Sequence, residues 1–108
     1  PMQITTRYNT AYFHVPGRPS FTLVDDPARV VGAMAARSER PAPWDVVAQE
    51  IWPEIRDLSQ LRERWDRSLR QLRAIFAEVG MRDDLVRPDG AGNIELHLLE
   101  GDLLFNEQ

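Results

Sequence analysis

Leu58, Leu61, Trp65, Leu69, Leu72, Phe76 and Val79 recur every three or four positions between Asp57 and Gly80, which puts them on one stripe of a 3.6-residue helix. A helix of roughly 33 Å with one apolar stripe has to bury that stripe against other elements, so it forms the spine of whatever the chain folds into. Its limits are written locally. Asp57 can cap the first turn, with Gln60 three residues later in a capping-box pattern, and Gly80 supplies the left-handed residue at which helices stop. At about 100° per residue, Gln60, Glu63, Arg64, Arg67, Arg70, Gln71 and Ala74 point away from the stripe. From Arg56 to Arg73 there are six arginines against three acids, in a chain whose formal net charge is −4. Positive charge is therefore concentrated on one element.

The flanking sequence supplies what that helix packs on. Arg7 to Val15 is rich in aromatic and β-branched residues, and Phe21 to Val24 follows Pro16-Gly17-Arg18-Pro19, where Pro-Gly fits the centre of a type II turn. A small amino-terminal antiparallel sheet is predicted there. Asp25-Asp26-Pro27 reads as a cap before proline at the first helical position, with Val30, Val31, Met34 and Ala35 giving the apolar face of a first helix. After the connection from Ser38 to Pro43, a second helix carries Trp44, Val47, Ala48, Ile51 and Trp52 on one side and ends at Pro53. Beyond Gly80, Leu85 to Arg87 and Ile94 to Leu98 flank Pro88-Asp-Gly-Ala-Gly-Asn93 in an alternating pattern that predicts a β-hairpin, with Ile94, Leu96 and Leu98 inward. Leu103 to Phe105 adds an edge strand or docks on the core. Residues 1–6 and 106–108 are expected to be flexible.

With 108 residues the chain is read as one domain over 1–108, and the opening Pro-Met suggests a domain excised from a longer protein. It has no cysteine, which removes disulfides and thiolate chemistry, and no apolar run long enough to span a bilayer, so a cytoplasmic, membrane-free protein is expected. All thirteen basic residues are arginine. That usage fits a GC-rich coding genome, and it also suits phosphate and base-edge contacts. His14 and His97 have no second histidine or cysteine at metal-ligand spacing. Asp25-Asp26 and Asp83-Asp84 read as caps and turns, and no serine, histidine and acid are set together by spacing. Neither catalysis nor a metal or cofactor is expected. The Gly90-Ala-Gly92 segment connects strands and no Lys-Ser/Thr ending follows, so it is a turn and not a phosphate loop. Trp44, Trp52 and Trp65 lie on apolar stripes and are assigned to the core.

The order of strands, three helices and a glycine-bearing hairpin resembles the OmpR/PhoB-type winged helix-turn-helix effector domain of bacterial transcriptional regulators. The segments that carry the resemblance are VVAQEIWP (Val46 to Pro53), LRQLRAIF (Leu69 to Phe76) and LVRPDGAGNIEL (Leu85 to Leu96). It implies an α+β fold in which the third helix enters the major groove of double-stranded DNA and the hairpin, as a wing, meets the minor groove or backbone. By that resemblance and by the donor geometry of the side chains, Arg64, Arg67, Ser68 and Gln71 would contact bases. Arg62, Arg70, Arg73 and Arg87 would contact phosphates. Further partners of such a domain are a regulatory domain of the same parent protein, or a second copy on tandem or palindromic half-sites. Asp89 stands where the family's wing commonly has arginine, and an acid there is expected to be repelled by phosphate.

Two other readings of the same residues stay open. Glu63 with Arg67, and Asp66 with Arg70, have the i,i+4 order that favours surface ion pairs, which would make the arginine face a solvated, self-neutralised surface. A winged helix can also serve as a protein–protein interaction module that does not bind DNA, because fold alone does not fix function.

Overall fold

A computed structural model describes residues 1–37 and 41–107; Ser38 to Arg40 of the expected connection and Gln108 of the expected tail lie outside them. Strands β1 (Gln3–Arg7), β2 (Thr10–His14) and β3 (Phe21–Val24) are followed by helix α1 (Asp25–Ala35). Next come the two-residue strand β4 (Ala42–Pro43), helices α2 (Trp44–Ile51) and α3 (Leu58–Val79), then β5 (Val86–Pro88), β6 (Asn93–Leu96) and β7 (Leu103–Glu107). The fold is α+β, with three helices and two sheets.

The limits of α3 are those its sequence predicts, and the atoms give the reason. The Asp57 carboxylate accepts from the Gln60 N–H at 3.0 Å. At the other end Gly80 sits at φ 73°, and the Met81 N–H returns to the Phe76 carbonyl at 2.8 Å, the six-to-one bond that closes helices on a left-handed glycine. Leu61, Trp65, Leu69, Leu72 and Phe76 are buried as the stripe requires, whereas Leu58 and Val79 project past the core at the two ends. The turn between α2 and α3 is clasped by Gln49, whose amide donates to the carbonyls of Trp52, Pro53 and Ile55.

The amino-terminal sheet is larger than predicted and is mixed. Its order is β3-β2-β1-β7, antiparallel except that β7 runs parallel to β1. Residues 3–6, expected to be a flexible end, lie within β1, which is paired on both edges and fully buries Ile4. The stretch from Arg7 to Val15 is not one strand, because Tyr8, at φ 53°, and Asn9 form a two-residue hairpin turn. The Pro16-Gly17 turn is as expected: Gly17 has φ 81° and the Arg18 N–H bonds the Val15 carbonyl at 3.0 Å. Likewise Asn106 and Glu107, expected to fray, are held in β7. Thr6 Oγ1 bonds Asn106 Oδ1 at 2.7 Å, and Met2 N–H donates to Asp102 Oδ1 at 2.9 Å. A parallel pairing between residues about a hundred positions apart leaves no periodic trace in either strand, so the sequence pattern alone could not join the two ends.

The inner face of this sheet packs on α1, and Phe13 and Phe21 stack on one another and meet the edge of Phe76 from α3. The second sheet, β4-β6-β5, is the predicted hairpin extended by β4, which the sequence does not single out. Ala42 pairs with Ile94, and the Trp44 N–H at the start of α2 bonds the Gly92 carbonyl at 3.0 Å. Those bonds fix the hairpin against the start of α2.

Candidate nucleic-acid interface

The aspartate pair, expected as a cap, forms the first two residues of α1 instead. Val24 occupies the cap position without a side-chain bond, and Asp25 is left-handed at φ 58°. Asp26 instead ties three helices together: it accepts from Arg64 Nε of α3 at 2.7 Å and from Trp52 Nε1 at the end of α2 at 3.3 Å, with Arg29 at 3.8 Å. Burial pushes the Asp26 carboxyl up from its ordinary 3.8, but the hydrogen bonds from Arg64 and Trp52 and the two guanidinium charges outweigh it and hold the group lower. A carboxyl lowered by folding contributes stability that is present above the unfolded pKa and lost as the pH falls through the folded one. Asn at position 26 is therefore expected to cost about 1–2 kcal/mol at neutral pH, allowing for the partial exposure of Arg64. It should also flatten the loss of stability on acidification below the ordinary carboxylate pKa. Urea unfolding of wild type and Asp26→Asn at neutral pH and at about pH 3 checks both points; an unchanged acid response would remove Asp26 from the account.

This cluster changes the roles of the arginine face. Arg64, expected to read bases, has its Nε committed to Asp26 and its guanidinium carbon 5.2 Å from the Trp52 ring centroid, so it is a strut between helices. Ser68 is 1% exposed and donates to the Arg64 carbonyl at 2.9 Å, which withdraws it from any groove contact. Arg62 bonds Asp66 at 3.3 Å and lies over Trp44, 4.6 Å from the ring centroid. Of the i,i+4 pairs in the alternative reading, neither Glu63 with Arg67 nor Asp66 with Arg70 is found among the described residues; Asp66 turns to Arg62 instead. Arg87 is paired with Glu95 across the hairpin.

What remains is a smaller and better-defined set. Arg67, Arg70, Gln71 and Arg73 are exposed on α3, and among the described residues none of the three arginines has an acidic partner. Arg56, in the turn between α2 and α3, is exposed and unpaired in the same sense, a cation that helical periodicity did not mark because it precedes the helix. Beside this face, α3 and the β5–β6 hairpin enclose a notch of about 300 Å³ lined by Trp44, Arg62, Asp66, Arg73, Pro88 and Asn93 among others. Trp44 and Trp65 both line it, with ring centroids 6.2 Å apart.

Asp89, expected to repel phosphate, is turned into its own loop. Its carboxylate accepts from Asn93 Nδ2 at 2.9 Å, from the Ala91 N–H at 2.7 Å and from the Asn93 N–H at 3.1 Å. The Asn93 side chain, then these backbone donors, lower its pKa. The acid is thus a turn-former at a position flanked by Gly90 and Gly92, both at φ of 80° or more.

A second cleft, of about 370 Å³, opens at the carboxyl end of α3 between Val15, Phe21, Met81 and Leu99, with Arg18 and Arg82 beside it. Both of its cations serve the fold: Arg18 donates to the Gly80 carbonyl, and Arg82 to the His97 carbonyl and to Asp102 at 3.0 Å. His14 bonds Ser20 and His97 lies near Glu95 and Asp84; no group of three metal-ligating side chains occurs among the described residues. No helix among them is long and apolar enough to cross a membrane. Comparison with protein-family models, with curated proteins and with solved structures returned no match.

Proposed function

We propose that this chain binds double-stranded DNA sequence-specifically, as the winged helix-turn-helix domain of a transcriptional regulator, with α3 in the major groove and the β5–β6 hairpin as its wing. One observation carries the reading. A 22-residue helix, buried along one face and capped at both ends, leaves Arg67, Arg70 and Arg73, with Gln71 beside them, without an acidic partner among the described residues, whereas most of the other described arginines are paired with acids. A B-DNA major groove of about 12 Å admits one such helix, and rigidity matters because a donor held in place loses less entropy on binding. Arg67 and Gln71 are one turn apart and point the same way, so they suit guanine O6/N7 and adenine N6/N7. Arg70 and Arg73 on the flanks, with Arg56 beyond the start of the helix, suit phosphates, which position the domain without carrying sequence. Asp89 counts against a wing lying close to the backbone: the three N–H donors of its own loop fix the turn and favour the ionised carboxylate, so its negative charge stays at the exposed tip.

The roles separate experimentally. After selection of a preferred site from a random duplex pool, Arg67→Ala should lower affinity for that site about 10- to 100-fold while leaving nonspecific binding nearly intact. Arg73→Ala should weaken all duplexes to a similar degree. Equal effects of the two substitutions on specific and nonspecific duplex refute the assignment.

A second reading, a protein-interaction module, is favoured by the internal pairing of Arg62, Arg64 and Arg87 together with the net charge of −4. It requires that the same α3 face engage an acidic protein surface and that duplex binding be absent even at low salt.

A further inference from the structure

Strand β7 is the edge of the four-stranded sheet. The Leu103 N–H bonds the Met2 carbonyl at 2.8 Å, and Thr6 Oγ1 reaches the Phe105 carbonyl, so residues 103 and 105 direct their backbone groups to the β1 side. By the two-residue alternation of a strand, the N–H and C=O of Leu104 and Asn106 point out of the open edge. Natural edges are usually protected by proline, by charge or by shortness. Here the sequence is Leu-Leu-Phe-Asn-Glu, and Leu103 and Phe105 are 52% and 46% exposed. Phe105 continues a row across the outer face through its register partner Thr5 to Tyr12 and Thr22, none of them charged. The other open edge, β3, has four residues hemmed by Pro19 and by the start of α1.

We infer that β7 pairs with β7 of a second copy of this chain, antiparallel about a twofold axis through Phe105. The choice of occupant follows from the chemistry of the edge. Its open donors and acceptors call for another strand, and β7 complements itself: Leu104 of each copy faces Asn106 of the other, exchanging both backbone bonds, which gives four in all. Phe105 then lies opposite Phe105 in the non-hydrogen-bonded position, where side chains approach most closely and aromatic cross-strand pairs are favourable. Leu103 falls opposite Glu107, whose charge already has Arg7 as its register neighbour within the same chain, so no like charges meet. The joined sheet runs through eight strands. This pairing uses a different surface from the α3 arginines and stands or falls independently of DNA binding.

The chain has no cysteine, so a single introduced thiol reports the register cleanly. Oxidation of Phe105→Cys should give a covalent dimer at least about tenfold faster than oxidation of Val24→Cys, because opposed Cβ atoms at about 4.5–5.5 Å lie near disulfide reach. Val24 lies on the same outer face but on β3. Sedimentation equilibrium without DNA should show a concentration-dependent dimer for the wild type and one about tenfold weaker or more for Phe105→Lys, whose substitution is on an exposed face and leaves the circular dichroism unchanged. A wild-type monomer at all concentrations overturns the inference. So does a dimer insensitive to Phe105→Lys, or equal cross-linking of the two thiol variants.

Discussion

Replacing Trp65 by alanine is expected to destabilise the domain by about 3–5 kcal/mol, a large share of the roughly 5–15 kcal/mol that holds a domain of this size together. Trp65 sits in the first half of α3, is 2% exposed, and packs its ring against Trp44, over which the Arg62 guanidinium lies. Removing the indole leaves a cavity that the neighbours can fill only in part, because Leu61 and Leu69 on the same stripe are already committed to the core. It also removes a lining residue of the notch between α3 and the β5–β6 hairpin. By contrast Arg70→Ala, five positions along on the open face, should change stability by less than about 0.5 kcal/mol. Urea unfolding followed by far-ultraviolet circular dichroism, which does not depend on the lost fluorophore, measures both. A Trp65→Ala loss below about 1 kcal/mol would mean that the apolar stripe of α3 is not the spine of the core.

The elements most legible in the sequence were those whose signals are local. The cap at Asp57, the stop at Gly80 and the heptad-like stripe between them each act within a turn or two of chain, and α3 has those bounds. The Pro16-Gly17 turn and the β5–β6 hairpin are of the same kind. What escaped was set by distance. Nothing near Gln3 says that it will lie beside Leu103, and nothing near Asp26 says that Arg64 and Trp52 will converge on it. The same divide runs through the candidate interface. Helical periodicity placed Arg64, Arg67, Arg70 and Gln71 on the open side; the last three are exposed there, as is Arg73, but periodicity could not tell that Arg64 would be drawn inward by a carboxylate from α1. Ser68 shows the limit in another form: a small polar residue next to the stripe satisfies its hydroxyl on the carbonyl four residues back and is buried at little cost.

The largest functional effect should come from Arg67, Arg70 and Arg73 taken together. Changing all three to alanine removes the arginines of α3 that carry no acidic partner, while Arg62 and Arg64 remain tied to Asp66 and Asp26. If the three supply one base contact and two phosphate contacts, their loss should lower affinity for the selected duplex about 1000-fold or beyond detection. Folding should be unaffected, because no described partner loses a bond. Substituting Arg62 and Arg87 instead, each already neutralised by an acid, should cost far less. An equal loss from that pair would place Arg62 and Arg87 in the interface beside Arg67, Arg70 and Arg73.

The most direct measurement is duplex affinity as a function of salt. The three phosphate contacts assigned to Arg56, Arg70 and Arg73 release their counterions on binding, so log K should fall against log salt with a slope of about −3 for the wild type. The slope should flatten by about 2 for the Arg67, Arg70 and Arg73 triple variant, whose two phosphate-binding arginines are gone. Absence of wild-type binding to a random duplex pool at about 50 mM salt, or a salt slope unchanged in the triple variant, would contradict the assignment of α3 to DNA.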